Sequence, residues 1–170
     1  MAIPTSVFAQ SAETMQKALD AEAKRLEAWG SDPAVVAAVK AQNAKRTPLT
    51  QIQKTDEQWT AGKAEALVNQ ITTGACADRL RELVSANAAY AETFVMDDQG
   101  ALVCATVKTS DYWQGDEAKW QRAFDGGKGA VFIDRPKFDD SASARLAQIS
   151  VPVMDKGVAI GAITIGVTLR

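Results

Sequence analysis

From Ala12 to Trp29 the apolar residues Ala12, Met15, Leu19, Ala23, Leu26 and Trp29 fall three and four positions apart, with Lys17, Asp20 and Lys24 opposite. Such a stripe marks an amphipathic helix, and Gly30 supplies its stop. Two further helix starts follow. In "SDPAVVAAVKAQ" Asp32 can cap a helix with Pro33 at its first position and Val35, Val36 and Val39 behind it. "TPLTQIQKTDEQW" repeats the device with Thr47 and Pro48 ahead of Leu49, Ile52 and Trp59. Cys76, Leu80, Leu83, Val84 and Asn87 then recur at helical spacing, which predicts a helix over about 75–88 after a turn or helix entry at Gly74.

The period changes near residue 90. "AETFVMDDQGALVCATV" reads as two strands, about 91–97 and 101–107, around the turn residues Asp97-Asp98-Gln99-Gly100. "GGKGAVFIDRP" releases the chain into a short strand at about 130–134. Two longer runs around Asp155-Lys156-Gly157 close it. In the last, Val158, Ile160, Ala162, Thr164, Gly166 and Thr168 alternate with Ala159, Gly161, Ile163, Ile165, Val167 and Leu169. The expected class is α+β: one antiparallel sheet of five strands, helices on one side of it, and a long N-terminal helix.

Composition narrows the function. A chain of 170 residues with 46% hydrophobic and 24% charged residues suits one ordinary globular domain. The net charge of −2 argues against nucleic acid, which wants a concentrated basic face. There is no histidine. That removes the usual general base, the commonest metal ligand and the usual haem ligand, and with them Ser-His and Cys-His nucleophiles. Cys76 and Cys104 belong to no CxxC pair, so neither a metal nor a cofactor is expected. No apolar run approaches the roughly 18–20 residues of a membrane span. Val7 and Ala9 before Gln10 have the −3 and −1 character that signal peptidase prefers, so residues 1–9 read either as a trimmed signal-peptide remnant or as a disordered start. Export would permit a Cys76–Cys104 disulfide, worth about 3–4 kcal/mol in the entropic account. Two buried free thiols also fit the sequence.

The segment "SDYWQGDEAKWQRAF", residues 110–124, concentrates rings and charges in a chain that is only 6% aromatic. Ser110, Asp111 and Gly115 are turn formers, so Tyr112 and Trp113 sit where no regular core face demands them. Asp116 is a credible N-cap and Glu117 suits the first turn of a helix on which Trp120 and Phe124 share the side facing the sheet. The rings either wall a ligand pocket or plug the open end of the sheet. Asp134 closes a strand, where Arg135 can pair with it or with Asp139. The adjacent Asp139 and Asp140 are weak grounds for a Ca²⁺ site.

The words "FVMDDQGALVCAT", "TSDYWQGDEAKWQRAF", "GAVFID" and "QISVPVMDKGVAIGAITIGV" resemble the Cache family, PAS-like extracytoplasmic sensor domains. The likeness covers roughly residues 90–170; residues 10–89 would be the helical N-terminal part of the same single-Cache domain. It implies a pocket between one sheet face and the segment joining the second and third strands. Tyr112, Trp113 and Trp120 would be its aromatic walls, and Lys119, Gln121, Asp134 and Asp140 its polar contacts. Two motifs depart from the amino-acid-sensing members. Lys119-Trp120-Gln121 stands where they resemble one another in an Arg-x-Trp-Tyr run, and Phe138-Asp139-Asp140 where they have Tyr-x-Asp. Lys is a point charge rather than a bidentate fork, which shifts the expectation from an α-amino acid toward a small carboxylate or an uncharged metabolite.

The expected function is a non-catalytic, periplasmic small-molecule sensor acting on a signalling partner outside this chain. The alternative is a ligand-free scaffold that dimerises or binds proteins, with a homodimer formed through the Met15–Trp29 stripe. A carboxylate hydrolase built from Asp134 and Asp140 would need a raised pKa and a partner base, and the sequence shows neither.

Overall fold

A computed structural model describes residues 5–139 and 144–169. Helix α1 spans Thr5–Leu26 and ends in a 3-10 turn at Glu27–Ser31. It is followed by α2 (Pro33–Asn43), α3 (Leu49–Thr60), α4 (Glu65–Thr72) and α5 (Ala75–Ser85). Strands β1 (Tyr90–Met96) and β2 (Leu102–Ala105) form the first hairpin. Helix α6 (Ala118–Phe124) precedes β3 (Phe132–Ile133), β4 (Lys137–Asp139), β5 (Ala144–Asp155) and β6 (Val158–Leu169).

Local signals explain most of these boundaries. The Asp32 carboxylate accepts from the amides of Ala34 and Val35, so the cap and Pro33 start α2 as the sequence suggests. Two caps sit one residue later than expected. Pro48 rather than Thr47 precedes α3, and Glu117 rather than Asp116 precedes α6, in both cases without a side-chain cap bond. The Asp97 side chain accepts from the amides of Gln99 and Ala101 and so builds the β1–β2 turn. Lys156 and Gly157 both take positive φ, 51° and 82°, the twist that a two-residue hairpin loop needs.

The sheet is antiparallel in the order β2-β1-β6-β5-β3, with β4 continuing along the same edge of β5. The expected third strand is thus broken in two. Its pairing slips by one residue between Ile133 and Lys137, across Pro136, which has no amide to donate. The five-strand α+β plan with its long first helix is the observed one.

Helices cover both faces, not one. Ile163, Ile165 and Val167 of β6 and Ala147, Ile149, Val151 and Val153 of β5 form a buried cluster with Leu19, Ala23 and Leu26 of α1, Val35 and Val39 of α2, and Ala77 and Leu80 of α5. On the opposite face Phe94, Met96 and Ala162 join Ile52 and Trp59 of α3, Ile71 of α4, Tyr112, and Ala123 of α6. The apolar stripe of α1 is therefore absorbed by the protein's own sheet: Leu19 is 2% exposed and Leu26 fully buried. Tyr90 ties the same helix to β1, donating from its hydroxyl to Glu22 and meeting Trp29 edge-on at 5.2 Å. Cys76 and Cys104 are disulfide-bonded and join α5 to β2. No helix among the described residues is long and apolar enough to cross a membrane.

Candidate functional site

The crossover from β2 to α6 is strapped to the protein by its rings and by one carboxylate. Asp56 Oδ1 on α3 accepts the backbone amides of Tyr112 at 2.7 Å and Trp113 at 3.0 Å. The Tyr112 ring then packs on Trp59, with centroids 5.8 Å apart, and its hydroxyl accepts from Gln42 Nε2 at 3.5 Å. Burial, reinforced by the nearby Asp97 charge, pushes the Tyr112 phenol above its ordinary pKa and keeps it neutral. Trp113 bridges to Ala101, and its indole Nε1 donates to Gln99 O at 2.9 Å. Trp120 Nε1 donates to Asp97 O at 2.9 Å while the ring stacks on Phe124 at 5.1 Å. These rings hold the crossover and α6 against the β1–β2 turn.

Beside that frame lies a cavity of about 410 Å³, within the range of small-molecule sites. Leu146 and Gln148 of β5 and Gly166 of β6 form its floor, facing the start of α6. Glu117, Ala118 and Lys119 make one wall, Asp134, Arg135 and Lys137 of the broken edge strand the other, and Glu92 closes the side. Strand alternation explains the space. The cavity-side residues of the two long strands are Leu146, Gln148, Ser150 and Pro152 facing Thr168, Gly166, Thr164 and Ala162, whereas their neighbours on the other face are mostly branched aliphatics such as Ile149, Val151, Ile163, Ile165 and Val167.

The charges in the cavity are mostly unspent. Lys119 Nζ stands 5.5 Å from the centre of the Phe94 ring. Among the described residues the side chains of Lys119, Arg135, Glu92, Glu117 and Gln148 make no hydrogen bond or ion pair. Asp134 is engaged more loosely, accepting from the Arg135 amide at 2.8 Å and lying 3.3 Å from Lys137 Nζ. A larger, shallower depression of about 660 Å³ lies between the α2–α3 loop and the two hairpin turns. Its polar groups largely satisfy one another: Lys40 pairs with Asp155 at 2.7 Å, Asn43 binds Ile160 O and the Asp98 amide, and Gln99 donates to Thr47 O. The smaller cavity is the better candidate.

No protein-family model matches the sequence, and no curated protein does. Its structural neighbours are sensor and ligand-binding domains of histidine kinases and chemoreceptors. One is the sensor domain of the V. cholerae histidine kinase DctB, at 14% identity and TM-score 0.48 over 95% of this chain. Another is the ligand-binding domain of the Pseudomonas aeruginosa PAO1 amino acid chemoreceptor PctC in complex with GABA, at 16% identity and TM-score 0.45 over 71% of this chain. A third is the ligand-binding domain of the Campylobacter jejuni chemoreceptor Tlp3 in complex with 4-methylisoleucine, at 12% identity and TM-score 0.40 over 84% of this chain. The chain spans 53%, 58% and 63% of those three chains, respectively.

Of the residues singled out from sequence, the structure brings Lys119 and Asp134 together at the cavity. Tyr112, Trp113 and Trp120 stand beside it, in the second core cluster, and outside its lining. Gln121 is exposed and donates to Gly115 O at 3.1 Å. Asp140 lies outside the described residues. Sequence reading did not single out Glu92, Lys137, Gln148 or Gly166 for the site. The available signal was the small and polar face of β5 and β6. Among the described residues no group of three or more Cys, Asp and Glu is placed to hold a metal ion.

Proposed function

We propose that this chain is a non-catalytic sensor domain whose site is the cavity between α6, the broken edge strand and β5–β6, and whose ligand is a small carboxylate or a similar polar metabolite. The observation that carries the reading is the convergence of unpaired Lys119 and Arg135 with unpaired Glu92 and Glu117 around the free Gln148 amide. Charges left unpaired beside one another in a concave site favour a solute that supplies their partners. Lys119 and Arg135 serve the carboxylate, Gln148 a neighbouring polar atom, and Asp134 the far rim. Asp140, outside the described residues, is kept as a polar contact on the family resemblance alone. Tyr112, Trp113 and Trp120 frame the site by fixing the crossover, and Gln121 braces it at Gly115. The Cys76–Cys104 bond supports a periplasmic or otherwise extracytoplasmic place. Output passes to a signalling partner outside this chain.

Thermal-shift screening of small carboxylates, amines and amino acids tests this. A true ligand at a hundredfold excess over Kd stabilises by about 2.7 kcal/mol, or roughly 5–10 °C in Tm for a chain of this size. Lys119→Met and Gln148→Leu, which keep volume and remove the polar heads, should abolish the shift. Hits that keep their full shift in both variants would place the site elsewhere.

A further inference from the structure

Among the described residues Trp59 on α3 is the largest fully buried side chain, and a lysine lies over its ring. The indole Nε1 donates to Thr109 O at 2.9 Å. That bond fixes the ring and sets the preceding residue, Lys108, above it, with Nζ 5.8 Å from the ring centre. The separation is close to the outer limit of a cation–π contact, about 6 Å. Lys108 is exposed, and among the described residues its ammonium makes no hydrogen bond or ion pair.

The lysine stands at a cavity of about 210 Å³ that shares no lining residue with the one beside α6. Trp59, Ala64 and Val68 give it apolar walls, and the exposed residues Gly62, Glu65 and Lys108 surround its mouth. No heavy atom lies within 4 Å of where a Gly62 Cβ would be, so that side is open. Glu65, in the first turn of α4, makes no ion pair among the described residues although Lys108 lines the same cavity. An indole, a free carboxylate and a cation resting on the ring without other ties are the parts of a site for positive charge, here filled loosely by the chain itself. A lysine ammonium is strongly hydrated, and at an exposed position its hold on a ring is weak. An alkylated ammonium brings the same charge together with methyl groups that cover the apolar walls.

We propose that the cleft between the α3–α4 turn and Lys108 is a second ligand site, for a small alkylammonium ion. Lys108 swings aside, the ligand's charge takes its place over Trp59, and Glu65 supplies the counter-charge. The site goes beyond the carboxylate reading of the cavity beside α6 and does not depend on it.

The test is a heteronuclear NMR titration of the isotope-labelled chain with choline chloride, sodium chloride holding the ionic strength constant. Dimethylbutanol, the same shape with carbon in place of the charged nitrogen, is the neutral probe. Choline should shift the amides of residues 62–68 and the Trp59 indole N–H saturably, and dimethylbutanol at equal concentration should not. Lys108→Ala uncovers the ring and should tighten choline binding at least about threefold, whereas Glu65→Gln should weaken it about threefold. Both positions are exposed, so both variants keep the fold. Lys63→Ala removes the same charge from a neighbouring exposed position and should change binding less than about twofold. Absence of saturable shifts, equal binding of the neutral probe, or an equal gain in Lys63→Ala would overturn the proposal. Lys119→Met should leave choline binding unchanged whatever it does to carboxylates, so failure of one site is read separately from failure of the other.

Discussion

Asp56 is a single carboxylate that fixes the crossover. Its Oδ1 accepts two consecutive backbone amides, at 2.7 and 3.0 Å. Asp56→Ala leaves both without their partner in a segment whose neighbour Tyr112 is only 7% exposed. Hydrogen bonds to a charged group contribute about 1.5–3 kcal/mol each. Two bonds ending on one oxygen are not additive, so the expected loss is about 3 kcal/mol, or roughly 6–12 °C in Tm. Asp56→Asn keeps a carbonyl acceptor and should lose about half as much. Urea titration followed by tryptophan fluorescence is the assay, because Trp59 and Trp113 both border the contact. An Asp56→Ala protein within about 0.5 kcal/mol of the parent would refute the claim that this carboxylate fixes the crossover.

Three further outcomes are expected. Burial outweighs the Gln99 and Ala101 amide bonds and holds the Asp97 carboxyl above the ordinary range. The folded state therefore keeps that proton longer than the unfolded chain, and stability falls as pH rises from the unfolded value through the raised one. Asp97→Asn removes the slope, so its stability relative to the parent should improve as pH rises from the ordinary carboxylate range; a gap moving the other way in pH-dependent urea melts contradicts the assignment. Reducing the Cys76–Cys104 bond, which closes a separation of 28 residues, should cost about 3–4 kcal/mol, read as a lower urea midpoint in the Cys76→Ser, Cys104→Ser protein. Gly30→Ala would set a Cβ 2.0 Å from Pro152 O and should destabilise by about 3 kcal/mol; a Tm equal to the parent's would mean that the turn after α1 stands off β5.

Periodicity alone determined the type of most elements in this chain, α4 (Glu65–Thr72) excepted. The stripe from Met15 to Leu26, the Asp32-Pro33 start and the alternation from Val158 to Leu169 each lie within one element, where side-chain direction follows from the backbone repeat. The Asp155-Lys156-Gly157 turn was legible for the same reason. Lys119 and Asp134, which line the cavity, were candidates only through the family resemblance. The strand order, the second helical layer and the break at Pro136 come from contacts between segments far apart in the chain. So do the use of Tyr112, Trp113 and Trp120 as straps and the meeting of Glu92, Lys119, Arg135 and Gln148 in one cavity. A ring next to turn formers looks equally suited to a pocket wall and to a core plug; which one it becomes depends on whether Asp56, Gln99 or Asp97 stands ready to receive its N–H. That partner lies 14 to 57 positions away, and no local pattern encodes it.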